Sequence, residues 1–115
     1  MLAFACAFTM FAGAAFTDAA DINADNVEAV DLLTTLGIIQ GYEDGSFDPE
    51  GTVTRAEMAK MIYTIRNDGN DDASAYETVT TTFQDVSGHW AEGYIKYLQN
   101  TGIVAGTSAT QFEPD

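Results

Sequence analysis

A chain of 115 residues has room for one small domain or two sub-domain units. Its 46% hydrophobic content excludes global disorder. Eighteen acidic residues face four basic ones, and the net charge of −14 excludes nucleic acid and anionic membranes as partners by bulk electrostatics.

Residues 1–15 carry no charge and are dominated by Ala, Phe, Leu and Met. The run is shorter than the roughly 20 residues that span a bilayer, and it ends in Ala12-Gly13-Ala14-Ala15, a small-x-small pattern. This reads as a signal-peptide-like segment without its cationic n-region, so the protein is expected to be secreted, with no stable membrane insertion. Cys6 lies inside that segment, and its surroundings do not match a lipidation signal. Once the segment is removed the chain has no cysteine, which excludes disulfides, thiol catalysis and thiolate metal sites.

From Asn23 the pattern turns helical. Val27, Val30, Leu33 and Leu36 form an apolar stripe, Asp25 and Glu28 fit an N-cap and N3 pair, and Gly37 fits the position after the helix. A helix over 25–36 is expected. In the turn-rich loop that follows, Phe47 is expected to plug the core and Asp44-Gly45 to make the tight turn. Thr54-Arg55-Ala56-Glu57 is a capping-box sequence that opens a second helix over 55–66. Its apolar residues occupy so wide an arc that partner helices must cover it, and with no second such helix after 115, Met58, Met61 or Ile65 is expected to stay partly exposed. Residues 67–82 show no stripe and read as a flexible acidic and Thr-rich linker. A third helix is expected over 90–100, with Trp90, Ala91, Tyr94, Ile95 and Leu98 on its apolar face.

The chain repeats itself. Phe16-Thr-Asp18, Gly37-Ile-Ile-Gln-Gly41 and Phe47-Asp-Pro49 return as Phe83-Gln-Asp85, Gly102-Ile-Val-Ala-Gly106 and Phe112-Glu-Pro114, at a constant offset of 65 from Gly37 onward. Repeats of this kind complete their cores against neighbours, which points to a binding or anchoring module rather than a one-site enzyme. A calcium loop at Asp44-x-Ser46-x-Asp48 fails, because Pro49 stands where glycine is needed and Arg55 where the bidentate glutamate belongs. His89 has no second histidine within metal-ligand spacing, and no metal site is expected. A glycosidase pair of carboxylates has no cleft large enough in a chain this short.

The order Phe-x-Asp, His89-Trp90-Ala91, helix, Gly-Ile-Val-x-Gly, Phe-x-Pro, Thr54-Arg55-Ala56-Glu57 resembles the S-layer homology domain. The resemblance covers 16–66 as a first repeat and 83–115 as a second repeat that stops before its second helix. It implies an all-α fold of helix–loop–helix repeats packed around a central helix bundle, with further repeats in the same or a neighbouring chain as partners. It also implies non-covalent attachment to secondary cell-wall polysaccharide, often pyruvylated, and no catalysis and no cofactor. By motif match Arg55 would contact the ligand's carboxylate, Asp18 and Asp85 would stand near sugar hydroxyls, Gly41 and Gly106 would let backbone approach the sugar, and Trp90 would form an apolar wall. The first repeat departs from the pattern in having no His-Trp pair.

The residues themselves leave alternatives. Arg55, at a helix N-terminus and flanked by the Gly41–Phe47 loop, can grip a carboxylate through a planar fork or merely pair with Glu57 or Glu50. Asp18 and Asp85 can accept from sugar hydroxyls or cap the following turn, and Trp90 can be core or platform. The two functional classes are a carbohydrate-binding wall anchor and a structural self-assembly module of an S-layer.

Overall fold

The computed structural model describes residues 16–115; the signal-like segment and Cys6 lie outside them. Three α-helices, α1 (Val27–Thr35), α2 (Arg55–Arg66) and α3 (Glu92–Asn100), are joined by turns and three short 3-10 segments, Ala19–Asp21, Ala24–Asn26 and Ser74–Tyr76, with no strand among the described residues. The fold is all-α, as expected. The chain forms two compact units that divide at Gly51/Thr52, so α2 belongs with residues 67–115 and not with the first motif copy.

In the first unit the helix over 25–36 is only partly α. Asn23, not Asp25, caps the start by accepting the Asp25 amide, the first turn is 3-10, and Asn26 before α1 makes no side-chain cap. The other end follows the glycine rule. Gly37 has φ +77, and the amides of Gly37 and Ile38 return to the carbonyls of Thr34 and Leu33. Gly102, Gln99 and Leu98 repeat this closure after α3. The small core comprises Phe16, Ile22 and Val30, with Val27, Ile39 and Phe47 packed against it.

The second unit holds the larger core. The capping box is present in full: the Thr54 hydroxyl accepts from the Glu57 amide and the Glu57 carboxylate from the Thr54 amide. The small side chains of Ala56 and Ala59 let α2 approach closely, and they are buried in one cluster with Phe83, Val86, Ala91, Ile95, Leu98 and Phe112. The outer side of α2 stays open, with Met58 46% and Ile65 55% exposed. The third helix starts at Glu92 rather than Trp90, because His89 and Trp90 lie in the turn that precedes it.

Residues 67–82 are pinned rather than free, which corrects the flexible-tether reading. Tyr63 and Tyr94 hydroxyls donate to the Asp72 and Asp71 carbonyls at 2.8 and 2.6 Å, and the buried Lys96 ammonium donates to the Glu77 carbonyl. Asn100 donates to the Thr80 carbonyl, while Gln99 pairs with Thr81 and Thr82. Tyr76 packs edge-on between Tyr63 and Tyr97. The segment lacks an apolar stripe because side chains of α2 and α3 hold it mostly by its backbone. Gly93 allows the closest approach: a Cβ there would stand 2.3 Å from the Ala73 carbonyl oxygen. Gly93→Ala is expected to lift residues 70–77 off α3, read as faster amide exchange there while the α2 and α3 amides remain protected.

Candidate functional site

The repeated motif builds the same clasp in both units. In the second, the Asp85 carboxylate accepts from the Phe112 amide at 2.9 Å and from the Glu113 amide at 2.7 Å, while Phe83 and Phe112 pack with ring centroids 5.4 Å apart. In the first, Asp18 accepts from the Phe47 and Asp48 amides, both at 2.8 Å, and Phe16 and Phe47 pack with centroids again 5.4 Å apart. The residue ahead of each proline, Asp48 or Glu113, is left-handed at φ +57 or +59. That conformation is unfavourable for a side-chain-bearing residue, and the carboxylate that grips its amide holds it in place. Neither aspartate caps the turn that follows it; each holds the distant Phe-x-Pro loop, with both of its carboxyl oxygens engaged.

The glycines serve the same clasp. A Cβ on Gly41 would meet the Phe16 ring at 2.6 Å and the Ser46 carbonyl at 2.8 Å; one on Gly106 would meet the Gln111 and Ser108 carbonyls at 2.4 Å and the Phe83 ring at 2.5 Å. These glycines let the loop close over the phenylalanine.

Electrostatics follow from geometry. Amides aimed at Asp85, that of Phe112 foremost, hold its carboxyl below the usual range, and the Phe47 amide does the same for Asp18. Glu92 is lowered first by the Lys96 ammonium, at 2.7 Å, then by the Gly88 amide. A carboxyl with a depressed folded value stabilises the fold above its unfolded value, near 4, and that contribution is lost as pH falls through the folded value. Acid unfolding is therefore expected to steepen below about pH 4. Asp85→Asn, which removes the titrating group, is expected to lower stability at pH 7 and flatten the acid limb; an unchanged acid limb in thermal melts would contradict the clasp's role.

Arg55 reaches the second unit's loop. Its Nε and Nη2 donate to the carbonyls of Phe112 and Ala105, each at 2.8 Å, and its guanidinium carbon stands 4.4 Å over the Phe112 ring. One residue on, the Ala56 amide donates to the Pro114 carbonyl at 2.8 Å. The hydrogen-bonded loop is thus the later copy's, not the Gly41–Phe47 loop that precedes Arg55 in sequence, and pairing with Glu57 or Glu50 is not what positions it. Two of its five N–H groups are committed to backbone, and the others remain for an anion on the exposed side.

Arg55, Asp85 and Gly106 thus converge on the Ala105–Glu113 loop, whereas Asp18 and Gly41 belong to the clasp of the first unit. Trp90 lies outside the buried core cluster of the second unit. It is 56% exposed, which rules out the core reading, and it lies 5.5 Å from His89 and 6.4 Å from Tyr94 between ring centroids. His89 accepts the Ala91 amide at Nδ1, so the proton sits on Nε2, 2.9 Å from the Asp115 carboxylate. Sequence reasoning missed the ring stacking of Arg55 and the His89–Asp115 pair. The pair joins residues 26 apart, so no local pattern in the chain points to it. Lys60 pairs with Asp71 at 3.6 Å. Among the described residues no group of three or more His, Cys, Asp or Glu could hold a metal ion, and no helix is long and apolar enough to cross a membrane.

Residues 15–59 and 82–115 match the family model of the S-layer homology domain. The chain is 33% identical to a surface layer protein of Brevibacillus choshinensis over 119 aligned residues, 99% of this chain and 10% of that protein. It is 33% identical to a cellulosome-anchoring protein of Acetivibrio thermocellus over 75% of this chain and 19% of that protein. It is 30% identical to the S-layer protein sap of Bacillus anthracis over 83% of this chain and 11% of that protein. The chain thus spans less than a fifth of the length of these relatives. No solved structure matches. With the family's motif order in both copies and matches over most of its length, the chain belongs to the S-layer homology domain family.

Proposed function

We propose that this chain anchors a secreted protein non-covalently to the bacterial cell wall, at the S-layer surface, by binding an acidic secondary cell-wall polysaccharide, with no catalytic step. The observation that carries this reading is Arg55. Its guanidinium is fixed over the Phe112 ring by two backbone carbonyls, yet the residue remains exposed, with N–H groups left to meet a carboxylate. In a chain of net charge −14 an anionic polymer is repelled globally, so it must be caught by a cation held in place. A pyruvyl group on the sugar would supply that carboxylate, and the exposed Trp90 supplies an apolar face in the same unit. The names of two relatives, a cellulosome-anchoring protein and a surface layer protein, support surface anchoring.

The test is sedimentation of the protein with purified cell walls before and after their secondary polymer is removed. Retention on intact walls and loss on stripped walls is expected; equal retention on both overturns the reading. The exposed Met58 and Ile65 on α2 favour a second reading, self-assembly without glycan binding. That reading expects concentration-dependent association in sedimentation velocity that is indifferent to the polymer.

A further inference from the structure

Four of the five tyrosines in the sequence meet in the second unit. Tyr63 on α2, Tyr76 in the 67–82 strap, and Tyr94 and Tyr97 on α3 form a run of contacts, with neighbouring ring centroids 4.8 to 6.0 Å apart. The clasp does not require them. At the offset of 65, Tyr94 and Tyr97 become Ala29 and Leu32, and the first unit forms its clasp all the same. The four rings are not equivalent. The Tyr63 and Tyr94 hydroxyls donate to the Asp72 and Asp71 carbonyls, and burial raises both phenols above the ordinary tyrosine value. A carbonyl holds such a proton without taking it, so these two rings resist losing an electron and a proton together. Tyr76 and Tyr97 are only half-buried, and their rings meet edge to face at 4.8 Å, the shortest of these separations. One belongs to the strap and the other to α3. With a single cysteine in the sequence, no disulfide within the chain can tie this strap.

We propose that Tyr76 and Tyr97 are a site of oxidative cross-linking, at which a one-electron oxidant joins the two rings as dityrosine and fastens the strap to α3. Each phenol gives one electron to the oxidant and its hydroxyl proton to water. The two phenoxyl radicals then form one carbon–carbon bond between ring positions ortho to the oxygens. The hydrogens on those two carbons move to the oxygens and restore both rings, so the net loss is two electrons and two protons. The second side-chain torsion of tyrosine is soft, which lets the rings turn from edge-on contact into coupling. The closed loop 76–97 then restricts the unfolded chain, as a disulfide would.

The test exposes the full chain, at high dilution, to photogenerated ruthenium(III) tris-bipyridine, an outer-sphere one-electron oxidant. Dityrosine fluorescence is expected in the monomer, with peptide mapping that joins Tyr76 to Tyr97 at the loss of two hydrogens. The yield per chain should not change with protein concentration. Tyr97→Phe should remove most of the monomer's dityrosine while the circular dichroism matches the parent, and Tyr42→Phe should leave it unchanged. The cross-linked protein should melt about 5 °C or more above the parent. Oxidation in strong urea should scatter the cross-links among the tyrosines. Selectivity for Tyr76 and Tyr97 that survives urea would mean that the fold does not choose the pair, and it overturns the proposal. So does dityrosine that maps to another pair or forms only between molecules, and so does its absence. A cross-linked protein that melts like the parent would show that the bond does not fasten the strap.

Discussion

Replacing Phe112 with alanine is expected to unfold residues 52–115. The ring is 2% exposed and touches every device that closes this unit: it packs on Phe83, lies under the Arg55 guanidinium and belongs to the cluster of Ala56, Ala59, Ile95 and Leu98. Removing a buried phenylalanine from a well-packed core costs about 3–5 kcal/mol, which rivals the whole stability of a unit this small. Phe112→Leu keeps most of the volume and should leave a folded unit with a lower melting temperature. Thermal melts followed by circular dichroism distinguish the outcomes, and a Phe112→Ala protein that melts like the parent would refute this account of the core. Phe47→Ala, at the matching position of the first unit, should cost less because Phe47 is only partly buried.

Arg55→Ala is expected to weaken wall binding by about ten- to a hundred-fold, since a charge-assisted contact contributes roughly 1.5–3 kcal/mol. The same substitution removes two hydrogen bonds and the stacking on Phe112, so a lower melting temperature should accompany it. Binding must therefore be measured well below the melting transition. Arg55→Lys should restore only part of the affinity, because a single ammonium cannot hold two carbonyls and a carboxylate in one plane. Lys60 is a poor control, as it pairs with Asp71. The exposed Arg66, at the far end of the same helix, is the better one, and Arg66→Ala should change little. Equal losses for Arg55→Ala and Arg66→Ala, with folding intact, would assign binding to diffuse charge.

The sequence by itself determined the local elements. Thr54 to Glu57 is a contiguous capping box, so α2 begins and ends where its residues say, at Arg55 and Arg66. Gly37 and Gly102 mark helix ends because only a residue tolerant of positive φ closes them cheaply. The repeated Phe-x-Asp and Phe-x-Pro were legible as a pair, and so were the residues that surround the site. What joins them was not. Asp85 finds its amides 27 and 28 residues away and Arg55 its carbonyls 50 and 57 residues ahead, and such contacts leave no periodic trace in the chain. Tertiary structure alone decided that α2 packs with the second copy, because the fit of Ala56 and Ala59 against Ala91 and Ile95 depends on shape across two helices and not on either helix's own pattern. It also decided that residues 67–82 are held. Their backbone carbonyls are bonded by Tyr63, Tyr94, Lys96 and Asn100, side chains that read locally as ordinary members of α2 and α3. Hydrogen bonds to main-chain atoms carry no signature in the segment that receives them, and that is why a fixed strap looked like a linker.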